Sequence, residues 1–61
     1  MIYAVYINDK GFINTFDKTK NTYSTTRDIF DADFNSKLEH AQDTAEFFGG
    51  TILAYDDKDD I

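Results

Sequence analysis

Sixty-one residues make one domain at most, and a chain this short buries only about 60% of the surface its unfolded form exposes. It has no cysteine and a single histidine, which excludes disulfide staples and thiolate zinc sites, while a hydrophobic share of 41% argues against disorder. Twelve acidic residues against six basic ones leave a net charge of -6, which disfavours direct nucleic-acid binding, because a phosphate backbone needs a clustered basic face.

In chain order, Ile2–Ile7 is rich in β-branched and aromatic residues and predicts a strand. Asn8, Asp9, Lys10 and Gly11 follow as a turn, with Gly11 suited to a positive φ. Residues 12–17 predict a second strand whose alternation sets Phe12, Asn14 and Phe16 on one face and Ile13, Thr15 and Asp17 on the other. After a polar turn over residues 18–21, the Thr-rich run Thr22–Thr26 predicts a third strand, with a composition suited to a sheet edge. Ile29, Phe30 and Phe34 are spaced for one short helical turn that tucks apolar groups under the sheet. Ser36 with Glu39 three residues later forms a Ser-x-x-Glu capping box. Leu38, Ala41, Ala45 and Phe48 recur at helical spacing as a core-facing stripe, and Gly49-Gly50 ends the helix. Thr51–Tyr55 predicts the last strand. The expected architecture is a small α+β domain over residues 1–55, with three to four antiparallel strands and one helix on one face in the order β-β-β-α-β. Residues 56–61 form an acidic tail.

Charge is divided unevenly. Residues 1–27 hold Asp9 and Asp17 against Lys10, Lys18, Lys20 and Arg27, a net of +2; residues 28–61 hold ten acids against Lys37 and Lys58, a net of -8. A split of this kind points to an interaction surface or an acidic tail, and favours a basic partner, although net negative charge also serves solubility. The longest apolar run, Ile2–Ile7, is far below the roughly 20 residues that span a bilayer, and no basic stretch precedes it. Neither a membrane helix nor a secretory signal is expected, and the expected compartment is the cytoplasm.

The layout carries one resemblance. The connector and cap residues 26–34, the helix over 36–45, and Gly49-Gly50-Thr51-Ile52 together resemble small uncharacterised proteins of phages and prophages of AT-rich Gram-positive bacteria. Phe, Tyr, Ile, Asn and Lys, whose codons are AT-rich, make up 25 of the 61 residues. The resemblance implies the α+β fold and a viral context, among proteins many of which inhibit host machinery or bacterial defence, anti-CRISPR proteins included. It transfers no catalytic or binding residue.

Few residues suit chemistry. His40 stands in the helix at the border of the apolar stripe, with no nucleophile assigned beside it, since Ser24 and Ser36 are absorbed by strand and cap. Residues 31–35 match the first five positions of an EF-hand loop, but Ser36 stands where the turn needs Gly and Gln42 where a bidentate Glu should close the shell. No catalytic residue, cofactor or metal site is expected, and the chain does not read as an enzyme. Two surfaces stand out instead. Glu39, Asp43 and Glu46, at i, i+4 and i+7, share one exposed helix stripe. Together with Asp56, Asp57, Asp59 and Asp60 they are the expected partner-binding residues, spaced to mimic nucleic-acid phosphates before a basic host or defence protein that handles nucleic acid. The alternative is a module that dimerises or docks through an aromatic sheet face around Tyr6, Phe12 and Phe16, with the charge serving solubility.

Overall fold

A computed structural model describes residues 1–56; the tail residues Asp57, Asp59 and Asp60 lie outside the described residues. Four strands, β1 (Ile2–Ile7), β2 (Gly11–Asp17), β3 (Thr22–Thr26) and β4 (Thr51–Tyr55), form one antiparallel sheet in the order β3-β2-β1-β4. A single α-helix, α1 (Leu38–Phe48), packs on one face, so the expected α+β layout stands and the Thr-rich β3 is an edge strand as its composition predicts. The other edge is β4, which pairs along its length with β1, from Ile2 opposite Tyr55 to Tyr6 opposite Thr51.

The core is small. Val5, Ile7, Ile13 and Ala45 form its buried centre, with Tyr23, Phe48 and Ile52 packed against it. Val5 and Ile7 come from β1, Ile13 from β2 and Ile52 from β4, so alternate residues of three strands face the helix. Ala41, Thr44 and Ala45 are the buried residues of α1. Leu38, expected in the apolar stripe, is 43% exposed, because it stands at the first residue of the helix, where the chain has only just left the sheet. Gly49 closes α1 in the left-handed conformation, and the amides of Gly49 and Gly50 both donate to the Ala45 carbonyl at 2.8 Å.

Two irregularities decide which side chains share a face. β1 and β2 pair only at Tyr6–Phe12 and Ile7–Gly11. Beyond that point the connector between β3 and α1 wedges between them. The Asp33 amide donates to the Ile13 carbonyl at 2.9 Å, and Asn35 exchanges backbone hydrogen bonds with Tyr3 at 2.8 and 2.9 Å. The ladder groups that a splayed sheet would leave open are therefore satisfied by a third segment. The second irregularity is a bulge: β2 pairs with β3 through Ile13–Thr25 and then Thr15–Ser24, leaving Asn14 as the extra residue.

The bulge corrects the expected aromatic face. A regular strand would place Phe12, Asn14 and Phe16 together. The extra residue reverses the alternation, so Phe16 joins Tyr23 on the helix side, where both rings meet Phe48 edge-on at 5.9 and 5.1 Å. Phe12 stays on the opposite side, edge-on to Tyr6 at 5.4 Å. Tyr6, Phe12 and Phe16 therefore do not form one surface. The side away from the helix is also less bare than expected. Ala4, which belongs to it by alternation, is fully buried, Tyr6 and Phe12 are half-buried, and Phe34 from the connector stacks edge-on against Tyr55.

The helix start needs a second correction. The N-cap is Lys37, and no side chain caps the helix. Asn35 is anchored in the sheet by its two bonds to Tyr3, and its Oδ1 accepts from the Lys37 amide at 2.8 Å, so the side-chain acceptor that shapes the entry is Asn35, not Ser36. Ser36→Ala should accordingly leave stability within about 0.5 kcal/mol of the parent, as for a surface change away from special features. Asn35→Ala should cost about 1 kcal/mol, the scale of a lost local side-chain acceptor. Urea midpoints of the two variants check this, and a larger loss for Ser36→Ala would restore the capping box. The connector holds a third surprise: Ile29–Asp31 is a short 3-10 helix, but Phe30 is not tucked under the sheet; it is 90% exposed.

Candidate interaction surfaces

The carboxylates of α1 stand where the helical spacing puts them. Glu39, Asp43 and Glu46 are all exposed on the outer side of the helix, away from buried Ala41, Thr44 and Ala45. Their electrostatics differ along the stripe. Glu39 lies in the first turn, where the helix dipole favours an acid. Glu46 lies near the other end, whose last turn holds no basic residue, and there the dipole opposes it.

Asp43 is not a free charge. The ammonium of Lys18, from the turn between β2 and β3, pairs with its carboxylate. Lys18 is delivered by that turn: the Asp17 carboxylate accepts from the Thr19 and Lys20 amides at 3.0 and 3.3 Å, and Asn21 takes a left-handed conformation to close it. The same ammonium sits 5.8 Å from the Phe16 ring centroid. The stripe thus presents two uncompensated carboxylates, at Glu39 and Glu46, flanking one held in an ion pair with a residue 25 positions away. Sequence spacing cannot show such a partner, because it arises only when the β2–β3 turn is folded against the helix.

The pair has a pH signature. The hydrogen bond from Lys18, then its charge, and more weakly the charge of His40 hold the Asp43 carboxyl below the usual carboxylate range. A carboxyl lowered in the folded state stabilises the fold above its unfolded pKa of about 3.9, and that contribution is lost as pH falls through the folded value. Lys18→Ala should therefore shift the urea midpoint slightly downward at neutral pH, with the gap to the parent closing as the solution is acidified below that range. A gap that persists unchanged in acid would assign the loss to packing of the lysine stem on Phe16 instead.

Of the remaining expected residues, Asp56 is exposed at the end of β4, and Asp57, Asp59 and Asp60 lie outside the described residues. A second group of acids emerges in the connector, where Asp28, Asp31 and Asp33 are all exposed around Phe30. Partial desolvation raises the Asp33 carboxyl above its usual value. Residues 31–35, the partial EF-hand match, are drawn into the sheet through Asp33 and Asn35. Among the described residues no group of three or more metal-ligating side chains converges. His40 is exposed on α1, with its carbonyl accepting from the Thr44 hydroxyl at 3.2 Å. Among the described residues no helix is long and apolar enough to cross a membrane.

One concavity lies on the β2–β3 ribbon. It is an open groove of ≈ 310 Å³ lined by Thr15, Phe16, Asp17, Thr22, Tyr23 and Ser24, with the Thr15 and Ser24 hydroxyls hydrogen-bonded across it at 2.6 Å. Neither this groove nor the exposure of Phe30 follows from the alternation of the strands. The signal that was present is Asn14, a poor strand former in mid-strand, which marks the bulge. No protein-family model, curated protein or solved structure matches this chain.

Proposed function

We propose that this is a small acidic binding protein, not an enzyme, of the phage type that inhibits a host or defence protein handling nucleic acid, and that it acts in the host cytoplasm by occupying that protein's basic site. The observation that supports this reading is the outer face of α1, where Glu39 and Glu46 are exposed on either side of the Lys18–Asp43 pair. Glu46 works against the helix dipole in a domain with little stability to spare, which is a choice that folding alone does not favour. The two uncompensated carboxylates, Glu39 and Glu46, stand seven residues apart and rise about 10 Å along the helix axis. The connector carries three further exposed acids, Asp28, Asp31 and Asp33.

Glu39→Gln with Glu46→Gln tests it and leaves the Lys18–Asp43 pair in place. Folding stability should stay about level, since the dipole favours the lost first-turn acid Glu39 and opposes the lost acid Glu46 near the other end. The parent protein, immobilised and offered a Gram-positive host lysate, should retain a basic nucleic-acid-binding protein that elutes with salt and that duplex DNA displaces. The double variant should retain it less, with the difference shrinking as salt rises and screens the lost attraction. A folded double variant that holds the same target equally well, or a target that DNA does not displace, overturns the reading.

A further inference from the structure

The two edges of the sheet are dressed differently. β3 is a run of hydroxyl side chains around Tyr23, flanked by Lys18, Lys20 and Arg27, the polar and basic cover that keeps an edge from pairing. β4, Thr-Ile-Leu-Ala-Tyr, holds no charge, no proline and no bulge. The ladder tells which of its backbone groups are open. Tyr3 exchanges both of its backbone bonds with Asn35, so its amide and carbonyl point away from β4. Opposed residues of an antiparallel pair alternate between bonded and unbonded. Tyr3–Ala54 and Val5–Ile52 are therefore the unbonded pairs, and Ile2–Tyr55, Ala4–Leu53 and Tyr6–Thr51 the bonded ones. Ile52 and Ala54 thus turn their amides and carbonyls outward, and among the described residues no hydrogen bond meets them.

Outward groups placed evenly about Leu53 are self-complementary. A second β4 laid antiparallel, with Leu53 opposite Leu53 of the other copy, sets each Ile52 against Ala54 of the other strand. Every outward amide and carbonyl then finds a partner, in four hydrogen bonds with none left over. A register centred on Ile52 would need Gly50, whose amide already donates to Ala45. The side chains agree. Thr51 stands opposite Tyr55, a β-branched residue against an aromatic one, and on the helix side Ile52 stands opposite small Ala54, which is exposed in the single chain. Charge selects the same arrangement. Asp56 follows β4 directly, and Gly49-Gly50 precede it. Antiparallel strands lay the acidic end of each beside the glycines of the other. They hold the two Asp56 residues about 20 Å apart, beyond the screening length of about 8 Å in physiological salt. A parallel copy would bring these acids together.

We propose that two copies of the chain join edge to edge through β4, about a two-fold axis at Leu53, into one eight-stranded antiparallel sheet. The contact is closed. It uses both β4 edges and leaves only the polar β3 edges outside, so assembly stops at two. The occupant is a second copy because the spacing of the open backbone groups, the side-chain sizes and the placement of charge on β4 are each met by β4 itself. The dimer rests on β4 and not on the outer face of α1, so it stands or falls independently of the proposed function.

Sedimentation equilibrium of the purified full chain across the micromolar range decides the matter. The parent should show a monomer–dimer equilibrium that holds or tightens as salt is added, because two chains of net charge -6 repel and no ion pair crosses the contact. Ala54→Pro removes an outward amide and leaves the bonds to β1 in place, a substitution that edge strands tolerate. It takes two of the four bonds, so association should weaken about thirtyfold. Amide hydrogen exchange of the parent carries the test if that variant fails to fold. The Ile52 and Ala54 amides should exchange freely in dilute solution and slow as concentration rises, while the Leu53 amide, bonded to β1, stays slow throughout. A parent that stays monomeric across the range overturns the proposal, and so does an Ala54→Pro dimer as tight as the parent's. A dimer that loosens with salt has opposite charges across its contact, which moves it off β4. Ile52 and Ala54 amides that are already slow in the monomer give this edge to the chain's own residues 57–61, and the second copy is lost.

Discussion

Ile13→Ala should remove about half or more of the folding stability and lower the urea midpoint in proportion. Ile13 is 1% exposed and is the only large side chain among the described residues that is essentially sealed from solvent. It sits in the buried cluster with Val5, Ile7 and Ala45, where Tyr23, Phe48 and Ile52 close around it. Truncation to alanine in such a place costs about 2–5 kcal/mol, the lost transfer energy plus the cavity left behind. A 61-residue domain has about 3–9 kcal/mol in total. Ile13→Val removes one methylene and should cost about 0.5–1.5 kcal/mol, leaving a cooperative transition. Circular dichroism against urea separates the two. Equal midpoints for the alanine and valine variants would mean that the connector collapses into the gap, and that the Asp33–Ile13 hydrogen bond does not pin it.

The second large effect is expected at Gly11, at the mouth of the first hairpin. Its φ is 122°, a conformation that side chains rarely adopt, and a Cβ there would stand 2.5 Å from the Thr26 carbonyl oxygen and 3.1 Å from its carbon. Both obstacles are backbone, and the ladder holds them: Ile7 pairs with Gly11, and Phe12 pairs with Thr26. Gly11→Ala therefore adds strain of about 1–3 kcal/mol to a steric conflict of similar size, and relief requires β3 to move off β2. Gly49→Ala is the comparison. Gly49 also has a positive φ, 78°, but nothing lies within 4 Å of its added Cβ, so the cost should be only the about 1–2 kcal/mol of a left-handed residue. Thermal melts of the two variants should rank Gly11→Ala well below Gly49→Ala. The reverse order would place the tight approach at the helix end.

Much of the fold was legible because it is written in short-range patterns. Alternation and β-branched content located β1, β3 and β4 to the residue, and helical spacing with Gly49-Gly50 located the end of α1. The candidate site was partly legible for the same reason: Glu39, Asp43 and Glu46 share a helix stripe by period alone, and the structure leaves all three exposed. Errors arose where a residue has two local uses. Asn35 and Ser36 are both good acceptors ahead of a helix, and Asn35 wins because β1 holds its backbone in place.

What the sequence alone determined, then, is the set and order of elements, the edge character of β3 and the outward stripe of acids, all of which depend on residues within a turn or a strand of one another. Tertiary structure decided the rest. The wedge of the connector between β1 and β2 joins Tyr3 to Asn35, the bulge at Asn14 sends Phe16 to the helix while Phe12 stays with Tyr6, and the folded β2–β3 turn brings Lys18 to Asp43. Each of these is a choice among locally equivalent conformations. The outcome is set by which backbone groups and rings find partners across the sheet, and a distant partner leaves no periodic trace in the chain.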